Sequence, residues 1–121
     1  MNVIIAGGRD VTDFDLVERA VNNSGFEIEQ VVSGGAKGVD TLAVLYAQKY
    51  NKHLALFMAD WDRHGRKAGP IRNGQMAEYA DALIAVWDGK SKGTKNMIDQ
   101  ATAKGLKVYI ERTDQPTALD I

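Results

Sequence analysis

The chain has no cysteine, so disulfide scaffolds and cysteine-based zinc sites are excluded. It also lacks long apolar runs: none approaches the ~20 residues that a membrane-spanning helix requires. No basic leader or cleavage signal precedes the first apolar run, Val3-Ile4-Ile5, so the expectation is a soluble, cytoplasmic protein. Charge of one sign is missing too: 15 Lys and Arg stand against 16 Asp and Glu, a formal net charge of -1. With a pI near 6.1 and no basic helix, long nucleic acid is disfavoured as a partner. The two histidines, His53 and His64, lie far apart without a matching acidic pattern, so no metal site is expected, and no cofactor fingerprint is legible.

What is present is one domain's worth of chain, residues 1-121, with a polar C-terminal tail over 111-121. A chain of this size buries roughly two-thirds of its unfolded surface. Five short apolar runs recur: Val3-Ala6, Val31-Val32, Leu54-Met58, Leu83-Trp87 and Val108-Ile110. They are continuous rather than alternating, as in strands covered on both faces. Helical patterns lie between them. The first starts with Thr12 as N-cap, turns Phe14, Val17 and Val21 inward, and stops at Gly25. The second carries Val39, Leu42, Ala43, Tyr46, Ala47 and Tyr50 at helical spacing. The third begins near Pro70, and the fourth runs from about Thr94 to Gly105. Strands alternating with helices predict a Rossmann-like α/β fold: a three-layer open parallel sheet of about five strands with helices on both faces. The segment from Ala59 to Gly69 reads as the one long loop.

Ten of the twelve glycines fall where strands hand over to helices, the other two being Gly25 and Gly105. In open α/β sheets that edge binds ligands, and helix N-termini there favour anions. The fullest loop is Ser33-Gly34-Gly35-Ala36-Lys37-Gly38-Val39-Asp40, which opens the second helix yet is neither a Walker A loop nor G-x-G-x-x-G. Nine of the fifteen basic residues share the same edge: Arg9, Lys37, Arg63, Arg66, Lys67, Arg72, Lys90, Lys92 and Lys95. That concentration suits a compact anion such as a nucleotide. Arg72 can hold phosphate bidentately, and the Asn73 amide can read a sugar or base. Trp61 is the better stacking candidate, Trp87 a core residue, and His64 a possible phosphate contact. Asp10, Asp40, Asp62 and Asp88 lie near strand ends, where any could serve as a base or a sugar ligand.

Four motifs in order are similar to the YspA-type branch of the SLOG superfamily, related to the lonely-guy phosphoribohydrolases and DprA. They are Gly34-Gly35-Ala36-Lys37-Gly38-Val39-Asp40, Trp61-Asp62, Ala68-Gly69-Pro70-Ile71-Arg72-Asn73 and Trp87-Asp88-Gly89-Lys90-Ser91-Lys92-Gly93-Thr94. The resemblance implies a Rossmann-like fold and a nucleotide or nucleotide-derived, ADP-ribose-like ligand. Candidate ligand contacts are Gly7, Gly8, Arg9, Gly34, Gly35, Lys37, Gly38, Asp40, Trp61, Arg72, Asn73, Asp88, Gly89, Ser91, Gly93 and Thr94. Gly34-Gly38, Lys37 and Arg72 are expected to hold phosphate. In the lonely-guy enzymes an arginine and a glutamate carry N-glycosidic hydrolysis. Arg72 matches that arginine, whereas the glutamate position falls on Met97, whose thioether cannot replace a carboxylate. Asp40 and Asp99 are the remaining carboxylate candidates. The expectation is therefore a module that senses, carries or sequesters its ligand. A nucleotide N-glycosidase is the alternative, and a DprA-like partner of single-stranded DNA the third reading. Family analogy and small size imply a homo-oligomer.

Overall fold

In a computed structural model, which describes residues 1–114, the chain forms a five-stranded parallel sheet flanked by helices. The strands are β1 (Asn2–Gly7), β2 (Gln30–Ser33), β3 (His53–Leu56), β4 (Ala82–Trp87) and β5 (Lys107–Arg112). The principal helices are α1 (Phe14–Ser24), α2 (Val39–Lys49), α4 (Ala68–Tyr79) and α5 (Lys92–Ala103), with a single turn, α3 (Trp61–His64), after β3. The strand order is β3-β2-β1-β4-β5. This is the expected three-layer Rossmann-like architecture.

Burial explains why the strand runs are unbroken. Val3 and Ile5 of β1 pack with Val17 and Val21 of α1 and Val39 and Ala43 of α2. Ile4 and Ala6 point the other way, toward Met76 and Ala77 of α4 and Met97 and Ala101 of α5. Each central strand therefore fills both faces with apolar side chains, and the one fully buried polar residue among them, Ser33 at the end of β2, is hydrogen-bonded through its Oγ. The edge strands β3 and β5 are less covered, and their residues are half-buried or exposed.

Local details depart from the sequence reading in four places. The cap of α1 is Asp13, not Thr12: the Asp13 carboxylate accepts the Asp15 N–H at 3.0 Å. A carboxylate also complements the positive helix start. Ala59 to Gly69 is not a structureless loop. Asp60 caps α3, a 3-10 turn over Gly65–Lys67 follows, and α4 begins at Ala68, two residues before Pro70. Tyr50 closes α2 rather than extending its buried stripe, and it is exposed. Glu111 and Arg112, assigned to the tail, pair with Val86 and Trp87 as the end of β5. The rest of that tail from residue 115 lies outside the described residues. No described helix is long and apolar enough to cross a membrane.

The order of strands decides where ligands can enter. From β1 the chain proceeds to β2 and β3 on one side, then returns to place β4 on the other side of β1. The carboxyl ends of β1 and β4 thus flank the topological switch point, where adjacent connections diverge and leave a crevice.

Candidate functional site

A cavity of about 810 Å³ opens at that switch point, floored by Ala6, Val86, Met76 and Met97. The size falls within the range of small-molecule sites, and an apolar floor with a few convergent polar groups is their usual composition. Each wall comes from a different element. The end of β1 brings Gly7, Gly8 and Arg9, α2 brings Asp40, and α3 brings Trp61. Arg72 and Asn73 come from α4, while Asp88, Ser91, Gly93 and Thr94 come from the β4–α5 junction. Eleven of the sixteen expected ligand contacts thus converge. Gly34, Gly35, Lys37, Gly38 and Gly89 do not line the cavity, nor does the carboxylate candidate Asp99.

Of the loop after β2 only Ala36 lines the cavity, and several of its N–H groups are spent on other acceptors. The Gly35 N–H donates to Ser33 Oγ (3.2 Å) and the Ala36 N–H to Asp40 Oδ2 (3.1 Å). The Val39 N–H donates to the Gly8 carbonyl (3.1 Å). Gly38 is needed for that last approach. Its φ is +74°, and a Cβ there would collide with the Gly8 carbonyl and the Arg9 backbone. Lys37 is exposed and points no charge into the cavity wall.

Arg72 ties this loop to α4. Its Nη1 donates to the Gly34 carbonyl at 2.7 Å, and its Nε donates to Asn73 Oδ1 at 3.0 Å. Asp40 lies beside it, only 6% exposed. Burial pushes the Asp40 carboxyl above the usual carboxylate range, against the Ala36 N–H and the Arg72 and Arg9 cations that hold it down. Burial likewise pushes the Arg72 guanidinium down, and Asp40 opposes that shift.

A further part of the lining is the start of α5. Ser91 is its N-cap, with its Oγ 3.5 Å from the Thr94 N–H and 3.1 Å from Thr94 Oγ1. Asp88 shapes the turn before it, accepting the N–H groups of Lys90 and Ser91 at 2.8 Å each. Those bonds hold the Asp88 carboxyl below its ordinary range. Lys90 and Lys92 also line this side. The first-turn amides of a helix have no intrahelical acceptor; here the Thr94 N–H meets Ser91 Oγ, and Lys92, Gly93 and Thr94 line the cavity.

Trp61 is half-exposed at the mouth, with the Arg9 guanidinium 6.0 Å from its ring centroid. Trp87, expected in the core, is only partly buried: its indole N–H donates to the Ser91 carbonyl, and Arg112 stacks on its ring at 5.1 Å. Of the nine basic residues expected at this edge, Arg9, Arg72, Lys90 and Lys92 line the cavity. Lys95 pairs instead with Asp99 at 2.9 Å. Arg63, Arg66 and Lys67 are exposed, and these three and His64 lie outside the lining. The cavity also includes Asn96, which was not anticipated. Its signal was available: Lys92, Asn96 and Gln100 repeat at four-residue spacing along one face of α5.

These features define a Rossmann-like α/β domain with a cavity at its switch point. The chain belongs to the YspA, cpYpsA-related SLOG family (YAcAr), whose model matches residues 1–64. It is 34% identical over 124 residues to the Gene 61 protein of Mycobacterium phage D29, covering 94% of this chain and 98% of that protein. Among solved structures it resembles DNA processing protein A (DprA) from Streptococcus pneumoniae, with a TM-score of 0.71 at 18% identity. That match covers 90% of this chain but 49% of DprA, so the chain spans about half of that protein's length, and the likeness is one of fold.

Proposed function

We propose that this protein binds a nucleotide or nucleotide-derived, ADP-ribose-like ligand in the β1–β4 cavity, as a sensing, carrying or sequestering module. Membership of the SLOG family supports a nucleotide-related or DNA-associated role in general. The observation that carries the finer reading is the start of α5. Its Ser91-capped first turn, with Gly93 and Thr94, lines a cavity that Arg72 and a half-exposed tryptophan also line. A phosphate fits the helix start beside Lys90 and Lys92, and a base can stack on Trp61. We therefore seat the anion at α5 rather than at the Gly34–Gly38 loop, whose Gly35 and Ala36 amides are engaged within the loop and α2.

Binding without hydrolysis is favoured by the cavity floor. Met97 occupies the position of the lonely-guy glutamate and is 1% exposed, presenting a thioether where hydrolysis would need a carboxylate. One observation favours the alternative N-glycosidase: Asp40, a cavity carboxyl with its proton affinity raised by burial, sits beside Arg72. Self-association into a homo-oligomer is part of the proposal on family analogy.

The test is a thermal-shift panel of nucleoside mono- and diphosphates and ADP-ribose, followed by chromatography of each incubated ligand. A rise in Tm that Lys92→Ala weakens, with the ligand recovered intact, supports the module. Released base would favour the N-glycosidase. No shift across the panel would overturn both. A preference for single-stranded DNA with steep salt dependence would favour the third reading.

A further inference from the structure

Behind the cavity wall, α4 and α5 are joined by a chain of side-chain amides whose polarity is dictated from both ends. A guanidinium can only donate, so Arg72 Nε, 3.0 Å from Asn73 Oδ1, settles which way the Asn73 amide faces. The Asn73 Nδ2 group must then donate, and it does so to Asn96 Oδ1 at 3.0 Å and to the Gly93 carbonyl at 3.4 Å. At the other end a backbone carbonyl can only accept. Gln100 Nε2 lies 2.8 Å from the Pro70 carbonyl, which settles the Gln100 amide, and the same Nε2 lies 2.9 Å from Asn96 Oδ1. Asn96 Oδ1 is thus held by two donors that cannot turn round. Flipping Asn96 would set an NH₂ group against both, with no acceptor to relieve it.

We infer that Asn96 is a specificity-determining residue of the cavity, a locked N–H donor that requires an acceptor oxygen or ring nitrogen on the ligand. Asn96 lines the cavity, and its Oδ1 is already taken, so Nδ2 is the part of the amide left for a ligand. An ordinary surface asparagine can rotate to match either a donor or an acceptor. This one cannot, so a ligand group that donates at that point leaves two N–H dipoles opposed and is rejected. The inference rests on the reading of the cavity as a nucleotide site, whose phosphate, ribose and base offer such acceptors.

Two variants test the polarity without any ligand. Asn96→Asp presents an acceptor to Asn73 and Gln100, so its Tm should stay within a few degrees of the wild type. Gln100→Glu sets a carboxylate against the Pro70 carbonyl and Asn96 Oδ1, so its Tm should fall clearly below that of Asn96→Asp. The reverse order overturns the assignment. Calorimetric titration with AMP and with ADP-ribose then tests specificity. The charge-balanced double variant Asn96→Asp/Asp99→Asn keeps the wild-type net charge, and Asp99 lies outside the cavity lining. It should bind at least tenfold more weakly than the wild type. Equal or tighter binding by the double variant overturns the role of Asn96 while leaving the nucleotide reading intact. Failure of the wild type to bind either probe overturns both.

Discussion

Asp40 and Arg72 concentrate the residue-scale energetics, because each is taken from water and each partly compensates the other. The folded Asp40 carboxyl binds its proton more tightly than the unfolded one, chiefly through burial. Stability from this group is therefore fully present below the unfolded carboxylate pKa and is lost as pH rises through the raised folded value. Asp40→Asn, which can still accept the Ala36 N–H, should raise the unfolding free energy at pH 7. The gain over wild type should shrink as pH is lowered toward 4, as chemical denaturation at several pH values would show. Arg72→Ala has the opposite sign. It removes a charge-assisted hydrogen bond to Gly34, a kind worth ~1.5–3 kcal/mol, and strips Asp40 of a nearby cation. Its destabilisation should be larger at pH 7 than at pH 4. A loss independent of pH would mean that Arg72 acts on the loop alone.

Among the elements, α4 and α5 are set close together by a glycine that helix propensity would not choose. A Cβ on Gly74 would lie 2.9 Å from Gln100 Oε1, so the side chain that locks Asn96 passes directly over it. Gly74→Ala gains up to ~1 kcal/mol of helix propensity and displaces Gln100, whose hydrogen bonds are worth about the same each. The two lost bonds outweigh the gain by about 1 kcal/mol, so the expected result is a small fall in Tm with weakened ligand binding, which thermal melts and calorimetry would resolve. Gly38 behaves differently, since backbone rather than a side-chain tip blocks it. Gly38→Ala combines the strain of a positive-φ conformation that L residues avoid, ~1–3 kcal/mol, with separation of the β1 and β2 loops, and should lower Tm sharply. The cap of α1 is a milder case: Asp13→Ala should cost ~1 kcal/mol in denaturant unfolding.

For the whole molecule, near-neutral charge conceals a small basic cavity rather than a broad basic face. Arg9, Arg72, Lys90 and Lys92 share the cavity with Asp10, Asp40 and Asp88. On the proposed reading a compact dianion would meet only a few of those cations, whereas a long polyanion would also meet the acids. Nucleotide affinity should therefore fall only modestly between low and physiological salt. Saturating ligand at a hundred times its Kd should stabilise the fold by ~2.7 kcal/mol, a rise in Tm readable by calorimetry. Sedimentation equilibrium against the 13.2 kDa chain mass tests the homo-oligomer expected on family analogy.

The sequence alone determined the type and order of the elements, because each rests on local chemistry. Continuous apolar runs mean strands covered on both faces, three-turn periodicity means α2, and Gly25 stops α1. It also marked Arg72, Asn73 and the Gly93-Thr94 pair as candidates at the strand-end edge, and the fold brings all four to the cavity lining. Where local signals competed, the reading slipped. Thr12 reads as the cap of α1 where the neighbouring Asp13 holds that place, and the polar stretch from Ala59 to Gly69 hid the turn of α3 capped by Asp60. Only the tertiary structure decided that β1 lies beside β4, because strand order depends on pairing between residues far apart in the chain. That placement put the crevice between β1 and β4 and brought α4 against α5, aligning Asn73, Asn96 and Gln100. It also brought Ser33 Oγ and the Asp40 carboxylate to the Gly35 and Ala36 amides. A glycine-rich loop advertises free N–H groups in the sequence, and whether they stay free depends on which acceptors the fold delivers to them.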